Sequence, residues 1–137
     1  MSNRNHGNFA YPLKISANRR YLTDQNDQPF LLHGDTAWSI ISALDEAEVE
    51  HYLANRAAKG FNALIINLVE HHFNGPLTRK GEHPFTNPLD LSTPNERYFE
   101  YADWVLQKTE EYGFVVLLAP MYLGYKNAVD TEGWYHE

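Results

Sequence analysis

The chain has 137 residues, of which 43% are hydrophobic and 21% charged, so its length and composition fit one globular domain and exclude a disordered chain. Eighteen acidic and eleven basic residues give a net charge of -7 at pH 7. This balance argues against nucleic acid and anionic membranes as partners, because binding phosphate requires clustered Lys and Arg. The chain has no cysteine, which excludes disulfides and thiolate metal sites.

The N-terminal residues 1–7 are polar and lack the apolar segment of a signal peptide. No apolar run approaches the length that crosses a bilayer. The sequence as written therefore predicts a cytoplasmic protein, or a secreted or periplasmic one if an export signal has been removed. We expect residues 1–12 to form a flexible N-terminus, followed by one structural unit over residues 13–137.

The first predicted element is a β-hairpin. Its arms are residues 13–24 and 29–34, and the turn-forming residues 25–28 join them. Residues 30–33 are short and mostly apolar, which is typical of a buried strand. We expect this strand to be the first of a sheet.

A helix and a second strand follow. Asp45 and Glu48 form a capping-box pattern, and Gly60 occupies the position of a left-handed C-terminal cap. Residues 61–69 are a near-continuous apolar run, which predicts a strand covered on both faces. Residues 70–92 then form a long segment rich in Gly and Pro, and such loops usually carry function or are disordered.

A second helix and a third strand complete the pattern. Thr93 is predicted as the helix cap, Pro94 as the first helical residue and Glu96 as the acid of the capping box. Residues 114–119 are all apolar and predict a strand that Pro120 ends. The order strand, helix, strand, helix, strand predicts a parallel sheet with right-handed crossovers.

The predicted fold class is therefore α/β, as the N-terminal portion of a (β/α)8 barrel of about three β/α units, preceded by the hairpin. A complete barrel takes roughly 250 residues. We therefore expect the chain to be truncated at its C-terminus. Its sheet edges would then be exposed and available for self-association.

Functional residues of parallel α/β proteins lie at the carboxyl ends of the strands. Six residues near those ends are candidates for binding a carbohydrate substrate: Asp35, Trp38, Asn67, Glu70, His71 and Tyr122. A carboxylate accepts hydrogen bonds from sugar hydroxyls, and an aromatic ring packs on the apolar face of a sugar. An alternative interpretation has Asp35 capping a short helical turn and Trp38 in the core.

Histidines near the same strand ends allow a different kind of site. A metal-dependent sugar-converting enzyme would use His71 or His72 together with His33 and Asp35. Adjacent histidines in an extended segment point in opposite directions, however, and hydrogen-bonded loop histidines are the simpler interpretation. No phosphate loop, dinucleotide fingerprint or nucleophile elbow is present. We therefore expect neither a metal nor a cofactor.

Three segments resemble the apiosidase-like glycoside hydrolases, also known as the DUF4038 family. They are residues 13–38, with the motif Gly-Asp-Thr-Ala-Trp at 34–38, and residues 55–62 and 95–105. The resemblance implies a (β/α)8 barrel that hydrolyses glycosidic bonds, with apiose-containing plant pectin as one family substrate. It also implies that the two catalytic carboxylates lie on later strands, typically the fourth and seventh. Asp35 and Trp38 then become substrate-pocket residues.

The leading hypothesis is the N-terminal fragment of a glycoside hydrolase that acts on plant-type polysaccharides or oligosaccharides and is inactive by itself. Its catalytic residues are not identified in this chain. The alternatives are a noncatalytic half-barrel that binds sugar or self-assembles, and the metal-dependent enzyme.

Overall fold

The computed structural model describes residues 9–70, 73–88 and 90–121, and these form two compact units that meet in sequence between His33 and Gly34. The first unit is a small antiparallel sheet of three strands. They are β1 (Lys14–Ile15), β2 (Leu22–Thr23) and β3 (Pro29–Phe30), in the order β1-β2-β3. The predicted hairpin is present as β2 and β3, but its first arm is itself folded into a second hairpin.

Side-chain hydrogen bonds explain the extra turn within the first arm. The Ser16 hydroxyl accepts hydrogen bonds from the backbone N–H groups of Arg20 and Tyr21 at 3.3 and 3.2 Å. The Asn18 side chain accepts a further bond from the same Arg20 N–H at 3.1 Å. Ser and Asn favour turns through such local bonds, so the chain reverses between β1 and β2.

Asp24 organises the turn between β2 and β3. Its side chain is fully buried and accepts hydrogen bonds from the backbone N–H groups of Ala10, Asn26 and Gln28, at 2.9, 2.8 and 2.8 Å. These bonds, led by that from Ala10, hold the pKa of Asp24 below its ordinary value despite burial. A buried carboxylate with three donors thus stabilises the first unit.

The second unit contains a parallel sheet with the order β4-β5-β6, as predicted. Its strands are β4 (Gly34–Thr36), β5 (Ala63–Val69) and β6 (Val115–Met121). The central strand β5 is almost wholly buried, which confirms the prediction for this apolar run. Within the described residues, β4 and β6 form the two edges of this sheet.

The prediction of a buried strand over residues 30–33 is wrong. The first parallel strand begins at Gly34, and Leu31 and Leu32 between β3 and β4 are exposed. The apolar composition of this segment therefore does not reflect burial. Asp35 consequently lies within a strand instead of after one.

In the described part of the chain, three helices connect and cover the strands: α1 (Ile40–Ala43), α2 (Glu46–Ala58) and α3 (Glu96–Glu111). The predicted capping box of α2 is present, since Asp45 accepts from the Glu48 N–H and Glu48 accepts from the Asp45 N–H, both at 2.9 Å. Gly60 has a φ of +82°, as a left-handed cap requires.

The predicted start of α3 is wrong by two residues. Asn95 is the N-cap, and its side chain accepts a hydrogen bond from the Arg97 N–H. Thr93 does not cap the helix, because its hydroxyl donates to the Asp90 carbonyl at 2.8 Å and accepts from the Asn87 N–H at 3.1 Å. Pro94 pairs with Phe85 in an isolated bridge and so remains extended.

Pro120 does not end the third strand, contrary to prediction. β6 continues through it to Met121, which is paired with Val69. Proline lacks an N–H donor and is tolerated on an edge strand, where that donor has no partner strand to reach.

The hydrophobic core of the second unit lies between the sheet and the two long helices. Leu64 and Ile66 of β5 pack with residues of α2 and α3 that are fully buried: Val49, Leu53, Tyr98, Ala102 and Val105. Side chains alternate along a strand, so Ile65 and Asn67 lie on the opposite sheet face. In the described residues, no helix is long and apolar enough to cross a membrane.

Candidate functional site

The candidate site lies at the carboxyl ends of β4 and β5, which are neighbours in the sheet. Asp35 is paired in register with Leu64 and Thr36 with Ile65. Parallel strands end at the same edge of the sheet, so residues following β4 and β5 are brought together there. The backbone N–H of Asn67 donates to the Trp38 carbonyl at 3.0 Å, which ties the two strand ends directly.

An aromatic cavity of about 380 Å³ opens beyond the end of β4. Trp38 and Phe73 both line it, and they are 36% and 56% exposed. The hydroxyl side chains of Thr36, Ser39 and Tyr52 also line the cavity. The rest of its wall is apolar and consists of Ala37, Ile40, Ala43 and Leu44. Trp38 therefore lines an open cavity, and its placement in the core, the alternative interpretation, is wrong.

Asp35 contacts helix α2. Its Oδ2 atom accepts a hydrogen bond from the Tyr52 hydroxyl at 2.9 Å and forms an ion pair with Nε of Arg56. Its Oδ1 atom accepts from the Thr36 N–H at 2.8 Å. Burial opposes ionisation of this carboxyl, but the donors outweigh burial and hold the pKa of Asp35 below its ordinary value. Both carboxylate oxygens thus have protein donors.

The alternative role of Asp35 as a helix cap is also wrong. The short helix α1 follows Ser39, and no side chain caps it. The Asp35 carboxylate instead links β4 to the middle of α2. Burial, followed by the hydrogen bond to Asp35, raises the pKa of Tyr52, so the tyrosine remains a donor at neutral pH.

Asn67 lies in β5 on the sheet face opposite the helices. It is 1% exposed, and within the described part of the chain neither its Oδ1 nor its Nδ2 atom has a hydrogen-bond partner. An unpaired buried polar group costs about 1–3 kcal/mol. Its partner is therefore expected to come from a ligand or from protein beyond the described residues.

Glu70 follows the last residue of β5 and is 1% exposed. Its Oε2 atom accepts a hydrogen bond from the Ser42 hydroxyl at 3.0 Å. Its Oε1 atom accepts from the backbone N–H groups of Phe73 and of Asn74, the latter at 3.0 Å. The carboxylate therefore joins α1 to the loop that carries Phe73.

Two of the predicted substrate residues, His71 and Tyr122, lie outside the described residues, as does His72. In the part of the chain that is described, no three His, Asp or Glu side chains converge on a common metal position. The structure brings together Trp38, Asn67 and Glu70 at neighbouring strand ends, whereas the Asp35 carboxylate faces α2.

Of the nine residues that line the cavity, Trp38 alone was predicted to bind substrate, and those not predicted include Thr36, Tyr52 and Phe73. Tyr52 has the helical spacing of a core residue, and only the fold shows that it reaches the cavity. Phe73 carried a usable signal, because it is a large apolar residue in a Gly- and Pro-rich loop, four positions after Val69 at the end of the strand. An exposed aromatic residue in such a loop favours a binding role.

Solved structures similar to the chain are glycoside hydrolases. One, described only as a glycoside hydrolase, has a TM-score of 0.70 at 21% identity, covering 80% of this chain and 25% of that one. A family 5 glycoside hydrolase from Bacteroides vulgatus has a TM-score of 0.68 at 22% identity, covering 77% and 24%. A family 5 mannosidase from Rhizomucor miehei has a TM-score of 0.60 at 22% identity, covering 80% and 27%.

These similarities establish the fold. The neighbours are (β/α)8 barrels, and the chain spans about a quarter of their length, so its second unit has the fold of part of such a barrel. The comparison with curated proteins finds no match.

A family model provides the closer assignment. The model described as "Apiosidase-like, catalytic domain" matches residues 16–137, which is most of the chain and includes both the Gly-Asp-Thr-Ala-Trp motif and the aromatic cavity. The chain therefore belongs to the apiosidase-like family and carries part of its catalytic domain.

Proposed function

We propose that the chain forms part of the sugar-binding mouth of a glycoside hydrolase that acts on plant-type oligosaccharides or polysaccharides. The observation that carries the proposal is the aromatic cavity between Trp38 and Phe73 at the carboxyl end of β4. Active sites of (β/α)8 barrels lie at this end of the strands. The apiosidase-like family membership and the glycoside hydrolase neighbours support the same class of reaction.

The chemistry of the cavity suits a sugar. Its volume of about 380 Å³ falls within the range of ligand pockets, about 300–1,000 Å³. The rings of Trp38 and Phe73 offer apolar faces to the C–H groups of a pyranose or furanose. The hydroxyls of Thr36 and Ser39 can exchange hydrogen bonds with the sugar hydroxyls. Asn67 is a further candidate, since its buried amide lacks a partner among the described residues.

The cleavage step is assigned to other residues. Hydrolysis of a glycosidic bond requires two carboxyl groups about 5–10 Å apart on opposite sides of the bond. Asp35 and Glu70 both have their oxygens occupied by protein donors, which favours structural roles for them near the substrate. We propose that the catalytic pair comes from later strands of the barrel, and that His71 and Tyr122 contact substrate.

Kinetics with apiose-containing pectic oligosaccharides and aryl glycosides test this function. The protein encoded by the complete reading frame should hydrolyse them, and Trp38→Ala should lower kcat/KM at least about tenfold, because about 1.4 kcal/mol of lost binding corresponds to tenfold. Trp104→Ala is the matched control, since Trp104 packs on Tyr101 of α3 and does not line the cavity. Equal kinetics for wild type and Trp38→Ala would contradict the proposal.

A second candidate function is a noncatalytic module that self-associates through its sheet. Leu117 and Leu118 of β6 are 45% and 40% exposed, although β6 lies in the sheet of the second unit. Exposed apolar edge strands favour pairing with another strand. Sedimentation of the chain tests for self-association. A concentration-dependent dimer that Leu117→Lys abolishes would support the self-associating module, and a monomer at all concentrations would rule out pairing through this edge.

A further inference from the structure

Glu70 is a buried carboxylate at the end of the central strand. It is 1% exposed and directly follows Val69, the last residue of β5. Burying an ionised carboxylate is costly unless hydrogen-bond donors surround it. The identity of its donors therefore indicates what the residue does.

Protein groups donate hydrogen bonds to both carboxylate oxygens of Glu70. The Ser42 hydroxyl reaches Oε2, and Ser42 is itself only 2% exposed. The N–H groups of Phe73 and Asn74 converge on Oε1. The Glu70 side chain thus links two parts of the chain. One carboxylate oxygen bonds to α1, and the other bonds to the loop at Phe73 and Asn74.

The loop held in this way contributes a wall of the aromatic cavity. Phe73 lines the cavity with Trp38 and is 56% exposed, so burial alone does not hold its ring in place. Hydrogen bonds to the backbone of a residue restrict where its side chain can lie. Fixing the backbone at Phe73 and Asn74 therefore restricts the cavity wall.

We propose that Glu70 is a positioning residue that acts through Phe73 and makes no contact with sugar. The use of the cavity for sugar rests on the proposed function, whereas the link between Glu70 and Phe73 does not. In this role the carboxylate is needed for its acceptor oxygens and not for its negative charge.

A glutamine at position 70 should therefore hold the loop as well as the native glutamate does. Its carbonyl oxygen can accept from both backbone N–H groups, and its amide can donate to the Ser42 oxygen. The Ser42 hydroxyl is then free to donate to the Ser39 carbonyl, which lies 3.4 Å away. Alanine retains none of these bonds.

Hydrogen exchange tests the positioning role without any ligand. In Glu70→Ala, the amides of Phe73 and Asn74 should exchange at least about tenfold faster than in wild type, while the Leu53 amide in α2 keeps its wild-type rate. In Glu70→Gln all three amides should stay within about threefold of wild type. Unchanged exchange of Phe73 and Asn74 in Glu70→Ala would overturn the proposal. If Glu70→Ala does not fold, the same comparison is made with Glu70→Ser, whose side chain is too short to reach the loop.

A double-mutant cycle tests the claim that Glu70 acts through Phe73. With apiose-containing pectic oligosaccharides as the probe, Glu70→Ala and Phe73→Ala should each weaken binding at least about fivefold, and the double variant no more than Phe73→Ala alone. Multiplicative losses, or a Glu70→Gln variant that binds as weakly as Glu70→Ala, would show that the carboxylate contacts sugar and would overturn the proposal. If wild type binds no sugar, the proposed function fails, and hydrogen exchange alone decides the role of Glu70.

Discussion

The carboxylate of Asp35 illustrates how contacts determine the role of a residue at this site. A free carboxylate at a strand end can bind sugar hydroxyls, but Asp35 is held by Tyr52 and Arg56 of α2 and by the Thr36 N–H. The Arg56 guanidinium also lies 4.9 Å from the centroid of the Tyr52 ring. This network fixes β4 against α2 immediately before Trp38, so it affects the cavity indirectly.

Removing the Tyr52 hydroxyl should destabilise the protein modestly. Tyr52→Phe deletes a half-buried hydrogen bond to a carboxylate while keeping the ring, and such a bond contributes about 1–2 kcal/mol to the free energy of unfolding. Tyr21→Phe, at a tyrosine that is 48% exposed, is the matched control and should change the free energy by less than about 0.5 kcal/mol. Urea unfolding measures the free energy of unfolding of both variants. Equal losses in the two variants would show that the Tyr52 hydrogen bond to Asp35 does not stabilise the protein.

The pH dependence of stability provides a separate test of Asp35. Its pKa is lowered in the folded state, so its contribution to stability is present above the unfolded value of about 3.9 and is lost as pH falls through the folded value. The free energy of unfolding of wild type should therefore exceed that of Asp35→Asn at pH 7, and the difference should shrink below about pH 4. A difference that is constant from pH 7 to pH 3 would show that ionisation of Asp35 contributes nothing.

At the scale of elements, α2 has boundaries set by local chemistry. Asp45 and Glu48 satisfy each other's N–H groups at the start of the helix, and Gly60 follows its end with a φ of +82°. Both signals act over a few residues, which is why the sequence predicts this helix well. Apart from Gly60 itself and its two chain neighbours, no atom lies within 4 Å of where a Cβ on Gly60 would be, so only backbone conformation requires glycine there.

Gly60→Ala should therefore destabilise the protein through the backbone alone. A left-handed conformation costs a non-glycine residue about 1–2 kcal/mol, and no steric clash adds to this. Lys59→Ala is the control, because Lys59 has an ordinary φ of -90° and should tolerate the change within about 0.5 kcal/mol. Thermal unfolding measures the stability of both variants. A Gly60→Ala variant as stable as wild type would contradict the predicted backbone strain.

Elements whose limits depend on tertiary contacts were predicted less well. Residues 31–33 have the composition of a strand, but they are exposed and lie between β3 and β4 in the sequence. Thr93 has the composition of a cap, but loop residues already occupy its hydroxyl. β6 tolerates Pro120 because, among the described residues, that strand lies at an edge of its sheet. In each case the outcome depends on the folded backbone around the residue and not on residue type, so local sequence patterns do not reveal it.

At the scale of the whole molecule, strand order determines which residues meet. The alternation of strands and helices predicts a parallel sheet, and the parallel sheet brings Trp38, Asn67 and Glu70 to one edge. The sequence therefore identifies which residues lie at the carboxyl ends of the strands but not the direction in which each side chain points. That direction depends on strand register and on donors such as Ser42 and Tyr52, which come from helices that the motif does not include.

The proposed function depends on the binding of sugar in the cavity between Trp38 and Phe73. An NMR titration of the chain with apiose-containing pectic oligosaccharides tests it most directly, because the indole N–H signals of Trp38 and Trp104 report separately on the cavity and on α3. We expect saturable shifts at the Trp38 indole and at Phe73, with the Trp104 indole unchanged, and loss of the Phe73 shift in Trp38→Ala. No saturable shift at Trp38, or shifts confined to Trp104, would contradict it.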